Sequence, residues 1–174
     1  DAVTDLSFTN VDFAVNAESE KTWSNGGSVM KQKPSIVMAE ANNATIKFEK
    51  CDFQLSTSAY AYTNSSNTYS IFNECNFNGK YNYVMYVRAN TEVTNCVYNT
   101  EVTNLIAAAC INALENGKVV FVNNALPNGA NIGMSALILF ASTNNTNGEW
   151  AGPVEFTVMN NTGFQYTFER LNNF

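Results

Sequence analysis

The sequence predicts an all-β fold in which short strands stack as a solenoid, and three observations carry that prediction. A six-residue phrase returns with fixed internal offsets: Phe8-Thr-Asn-Val11-Asp-Phe13, Phe48-Glu-Lys-Cys51-Asp-Phe53, Phe72-Asn-Glu-Cys75-Asn-Phe77 and Val93-Thr-Asn-Cys96-Val-Tyr98. Apolar residues occupy positions 1, 4 and 6, whereas an unbroken strand turns every second side chain the same way, so one added residue bends the chain between two strands. Asparagine, which tolerates the left-handed backbone region and bonds its own backbone, occurs 28 times, while charged residues make up only 14% of the chain. A strand–corner–strand unit of this size cannot bury its own apolar face, so the units must stack on one another to make a core.

Taken in order, the phrases begin at residues 8, 48, 72 and 93, and then at Phe121 (Phe121-Val-Asn-Asn-Ala-Leu126) and Val158 (Val158-Met-Asn-Asn-Thr-Gly163). The successive gaps are 40, 24, 21, 28 and 37 residues. The middle gaps suit solenoid repeats, and the two long ones read as a repeat plus a loop excursion. Residues 17–27 supply loop chemistry for the first excursion, and Ser142-Thr-Asn-Asn-Thr-Asn-Gly148 with Trp150 and Pro153 supplies it for the second. Trp23 and Trp150 fall in these excursions, placed either to cover an open end of the stack or to meet a ligand. A second apolar stretch accompanies the phrases, at Ile36–Ala39, Ala59–Tyr62, Tyr83–Val87, Leu105–Ile111 and Ala136–Phe140. Three strands per repeat follow. The stretch at 105–111 is rich in helix-favouring Ala and Leu, but Thr103, Asn104 and Asn112 bound too short a run, which favours a strand.

Residues 1–174 form one domain by size, long enough for a substantial core. A net charge of −6, with nine basic against fifteen acidic residues, offers no footprint for nucleic acid or an anionic membrane. No apolar run approaches the length that spans a bilayer. The chain starts at Asp1 and carries no signal-peptide pattern, which suits the mature form of an exported protein, secreted or held at the cell surface, and equally a trimmed chain. Four N-x-S/T triplets, at Asn43, Asn64, Asn144 and Asn160, are expected by chance in so Asn-rich a chain.

Cys51, Cys75 and Cys96 share position 4 of the phrase, which predicts an inward file of small side chains. Parallel Cβ vectors are poor disulfide geometry, so free core thiols are expected. The chain has no histidine and no CxxC pair, which argues against zinc; no cofactor is expected.

The bend phrase, with Asn10, Asn95, Asn123 and Asn160 at its third position and inward files of Phe, Val and Cys on either side, resembles the right-handed parallel β-helices of the pectin-lyase-like superfamily. The resemblance covers roughly residues 5–165. It departs at Lys50 and Glu74, which replace Asn and interrupt a continuous Asn ladder. It implies a single right-handed parallel β-helix of about five to seven turns with loop excursions and an end cap. An ordinary β-sandwich is the structural rival, but has no reason to repeat one bend at fixed offsets.

Enzymes of that superfamily work on the outer face of the sheets, so the resemblance directs the search for function there. Tyr86 and Arg88 alternate outward if Met85 and Val87 point in, with Tyr60 and Tyr62 on the preceding turn and Glu40 on the one before. Aromatic rings beside one Arg and one Glu suit a carbohydrate platform; the plainer reading is that tyrosines fill an exposed β face. Asp12 and Asp52 share outward position 5, followed by Asn76 and Val97, and form either an acid pair or cation site, or two solvated carboxylates. The expected role is a non-enzymatic, adhesin-like module presenting a strand face to polysaccharide or to a host or cell-surface protein. The alternatives are a polysaccharide lyase or glycosidase on the same fold, and a structural spike or stalk segment.

Overall fold

The computed structural model describes residues 5–14, 21–25, 28–32, 35–39, 43–55, 60–64, 68–79, 83–86, 90–100, 106–112, 118–127, 137–142, 155–164 and 166–169. These are all-β, in parallel sheets apart from one antiparallel pair of strands. Among the described residues no helix is long and apolar enough to cross a membrane.

Three sheets contain all but two of the strands. The first holds, side by side, β1 (Asp5–Thr9), β6 (Ala44–Glu49), β9 (Thr68–Asn73), β12 (Thr91–Thr94), β15 (Lys118–Val122) and β17 (Glu155–Met159). The second holds β2 (Asp12–Ala14), β7 (Asp52–Leu55), β10 (Asn76–Gly79) and β13 (Val97–Thr100), and single parallel bridges carry it on to Ala125 and Thr162. The third holds β5 (Ser35–Ala39), β8 (Tyr60–Asn64), β11 (Tyr83–Tyr86), β14 (Ile106–Asn112), β16 (Leu137–Ser142) and β18 (Tyr166–Glu169). The chain therefore visits the three sheets in rotation. The apolar stretch at 105–111 is β14, a strand, as its short length and polar flanks required.

Of the excursions, the first is more regular than a loop. β3 (Lys21–Asn25) and β4 (Ser28–Gln32) pair antiparallel, with Trp23 opposite Met30. Thr22, Trp23 and Val29 are residue types that favour strands. Trp150 lies outside the described residues.

The phrases lie in register. Phe8, Phe48, Phe72, Val93, Phe121 and Val158 are successive partners across the first sheet. Their rings stack, Phe8 on Phe48 at 5.3 Å and Phe48 on Phe72 at 4.8 Å between centroids. Position 6 builds a parallel stack in the second sheet, with Phe13 on Phe53 at 4.9 Å, Phe53 on Phe77 at 5.2 Å and Phe77 on Tyr98 at 4.8 Å. The stacks meet edge to face, Phe48 against Phe53 at 67°, an arrangement that aligns positive ring edges with negative faces. Ala61, Tyr62 and Val84 of the third sheet join the same buried cluster. Each buried ring contributes about 1.5–3 kcal/mol by leaving water. Burial weakens at the β1–β2 edge, where Phe8 and Phe13 are only partly covered and Leu6 is 43% exposed.

Position 3 makes the corner. Asn10, Lys50, Glu74, Asn95, Asn123 and Asn160 all adopt left-handed backbone, with φ between 54° and 57°. Their backbone amides from Asn10 to Asn123 donate to the position-2 carbonyl of the next pass, for example Lys50 to Asn73 at 3.0 Å and Glu74 to Thr94 at 3.1 Å. At position 5 the bonding direction reverses: Asp52 donates back to Val11 at 3.1 Å and Asn76 to Cys51 at 2.9 Å. The bend thus keeps its backbone hydrogen-bonded, which a buried or half-buried chain requires. The side-chain ladder is interrupted as the sequence implied. Asn95 donates to Asn73 Oδ1 and Asn123 to Asn95 Oδ1, at 2.9 and 3.2 Å, whereas Lys50 and Glu74 form an exposed ion pair at 3.8 Å.

Position 4 faces inward. Cys51, Cys75 and Cys96 are free, fully buried thiols. Cys51 and Cys75 Sγ reach the position-1 carbonyls of the previous pass, Phe8 and Phe48, at 3.5 Å. Asn124 takes over this role with a stronger donor, bonding Val93 O at 2.9 Å while its Oδ1 accepts from the Cys96 amide at 2.9 Å. Asn161 repeats the arrangement against Phe121 O and the Asn124 amide, both at 2.8 Å. The last phrase ends in Gly163 at φ +81°, where a Cβ would lie 2.0 Å from Leu126 O.

Two predictions follow from these files. Left-handed backbone costs a residue other than Gly or Asn about 1–2 kcal/mol, and an exposed ion pair returns little. Lys50→Asn and Glu74→Asn each therefore raise stability by about 0.5–1 kcal/mol in urea unfolding. Asn124→Leu, which strips partners from a buried amide and a buried carbonyl, lowers stability by about 2–4 kcal/mol, and Asn124→Cys, which restores the weak bond to Val93, lowers it by less.

Candidate functional site

The third sheet places the predicted tyrosines as follows. Tyr60 pairs with Ser35, Tyr62 with Val37 and Met85, and Tyr86 with Thr63. Tyr62 is not on the outer face. It is fully buried, edge-on to Phe48 and Phe72 at 5.6 and 5.1 Å, and its hydroxyl shares a 2.8 Å hydrogen bond with Ser70 Oγ. The reason is local: Ala61 and Tyr62 are both buried, so simple alternation fails there, and Ser70 gives the phenol the partner that burial demands. The register next to β11 also shifts between Tyr83 and Met85, and Val84 is fully buried. Tyr60 and Tyr86 are described as strand backbone, and Glu40 and Arg88 lie outside the described residues.

In the second sheet Asp12 and Asp52 are direct register partners, with no strand between them despite the 40 residues that separate their phrases. Asn76 and Val97 continue the file. Asn76 Nδ2 donates to Asp52 Oδ1 at 2.6 Å, and one file further out Asn99 Nδ2 donates to Asn78 Oδ1 at 3.0 Å. Among the described residues no group of three or more His, Cys, Asp or Glu is placed to hold a metal ion. Burial raises the Cys51 thiol and raises Cys96 well above the ordinary thiol value, which makes both poor nucleophiles, whereas the hydrogen bond with Cys96 lowers Cys75 inside the core.

The outer face of the first sheet carries an arrangement that the sequence reading passed over. In β9, Thr68, Ser70 and Phe72 are buried, which turns Tyr69, Ile71 and Asn73 outward. In β12, Thr91 and Val93 are buried, which turns Glu92 and Thr94 outward. Tyr69 stands diagonally from Glu92, whose direct partner is Ile71, and donates its phenolic proton to Glu92 Oε1. Around this pair, Lys47 bonds Glu49 at 2.7 Å, and Asn73 Oδ1 accepts from Thr94 Oγ1 at 3.0 Å. The signal was available: Tyr69 and Glu92 lie an odd number of residues, three and one, before the inward Phe72 and Val93, which puts both on the outer face.

Desolvation, reinforced by the hydrogen bond to Glu92 and its charge, pushes the Tyr69 phenol up to about 12. At neutral pH the pair is thus a neutral donor held to a carboxylate acceptor. It offers a planar ring, a carboxylate and an adjacent carboxamide on one rigid surface, a combination that suits sugar C–H faces and hydroxyls.

Because the folded state holds the phenol above its unfolded value of about 10, this stabilisation is fully present below that pH and is lost as pH rises toward 12. Ultraviolet titration of the phenolates is expected to lose a component near pH 12 in Tyr69→Phe; an unchanged difference spectrum would refute the pairing. Comparison with protein-family models, with curated proteins and with solved structures found no match to this chain.

Proposed function

We propose that residues 1–174 form one right-handed parallel β-helix of the pectin-lyase-like kind, with about five to seven turns. The rotation of the chain through three parallel sheets and the six left-handed corners in register support this reading. On it, the molecule is a non-enzymatic module, secreted or displayed at a cell surface, that binds glycan through its outer strand face. The observation that carries this function is the Tyr69–Glu92 pair, an aromatic ring locked to a carboxylate on a regular sheet surface.

A second reading, a glycosidase or lyase, is favoured by the adjacency of Asp12 and Asp52, since retaining glycosidases hold two carboxyl groups about 5–5.5 Å apart. Asn76 occupies one Asp52 oxygen, which counts toward a structural role.

Incubation with immobilised neutral, basic and acidic polysaccharides, following both retention and new reducing ends or unsaturated products, separates the two. Retention without turnover is expected, weakened tenfold or more in Tyr69→Ala. Turnover abolished in Asp52→Asn would replace the module with the enzyme, and retention on none of the polymers would remove the glycan function.

A further inference from the structure

Resting on the glycan-binding reading, we propose that the Tyr69–Glu92 surface takes an amine-bearing sugar polymer and discriminates against carboxylated or sulfated ones. Charge placement on the outer face of the first sheet favours such a ligand. The register files of this face run Asp5, Thr45, Tyr69 and, further along the sheet, Lys118, Glu155, then Ser7, Lys47, Ile71, Glu92, Val120, Thr157, then Thr9, Glu49, Asn73, Thr94, Val122, Met159. Four carboxylates therefore share this face with two lysines.

Neither lysine is placed for an acidic ligand. Lys47 is held by Glu49 at 2.7 Å, and Lys118 stands in register with Glu155. At the nearby corner Lys50 is taken by Glu74. A polyuronate or sulfated chain laid across the strands would bring anions against Glu92, Glu49 and Glu155 with every one of these lysines already beside a carboxylate. That repulsion acts within the Debye length, about 8 Å at physiological ionic strength, and weakens as salt is added.

An ammonium group meets the opposite situation. Glu92 supplies a full negative charge whose position is fixed by the phenol of Tyr69, and the Tyr69 ring adds the attraction of an aromatic face for a cation. Hydroxyls on the same sugar find the Asn73 and Thr94 side chains one file away.

The test measures binding of a glucosamine oligomer, a neutral gluco-oligomer and an oligogalacturonate of equal length to the intact chain, in mildly acidic buffer. The glucosamine oligomer is expected to bind at least tenfold tighter than the neutral one, with added salt eroding the difference, and the oligogalacturonate most weakly. Glu92→Gln is expected to abolish the preference, so that the glucosamine and neutral oligomers bind this variant within twofold of each other. Preference for oligogalacturonate, or a Glu92→Gln variant that keeps the amine preference, overturns this inference and leaves the glycan module standing. Binding of none of the three overturns the module itself.

Discussion

The structure depends on one backbone event, the left-handed residue at the third position of each phrase. A chain that must turn between two sheets without losing hydrogen bonds needs its amides to point toward one neighbouring pass before the bend and toward the other after it. The six residues with φ near 55° provide that reversal. Register is then transmitted from sheet to sheet, because an insertion on either side of the corner would move the whole following strand to the wrong face. The aromatic stacks at positions 1 and 6 are the consequence of this register as much as its cause.

Position 4 illustrates how one place in the fold accepts chemically different residues. Three passes fill it with a thiol and two with a carboxamide, yet Cys51, Cys75, Asn124 and Asn161 alike reach back to the position-1 carbonyl of the preceding pass. The thiol suits the aromatic-rich end, where its small apolar surface packs beside Phe rings. The carboxamide serves the later passes, where its oxygen accepts from the position-4 amide of the preceding pass. Burial of Asn124 is tolerated because both ends of its amide are engaged.

Much of this was legible in the chain. The offsets 1, 4 and 6 encode a bend, and the files they imply, including Phe48 beside Phe72 and Asp12 beside Asp52, are those the register contains. The free thiols and the strand at 106–112 were legible for the same reason, since length and spacing decide them. Tyr62 was misread because alternation is a rule for regular strands, and two consecutive buried residues at Ala61–Tyr62 break it. The Tyr69–Glu92 pair was missed for a different reason: it is a diagonal contact between strands 23 residues apart, and becomes visible only once parity and register are combined.

The unequal spacing of the phrases also shapes how the chain finds its native state. All sheet pairings between passes are parallel and non-local, so each requires a loop to close before any contact rewards it. Bringing Phe72 beside Val93 closes 21 residues, whereas bringing Phe8 beside Phe48 closes 40. The shorter closure is favoured by about 0.6 kcal/mol of chain entropy, and it adjoins the stretch of two complete, fully buried ring stacks. Nucleation is thereby biased to the middle passes, β6 to β12, from which ordering propagates outward and the half-covered β1–β2 edge closes last.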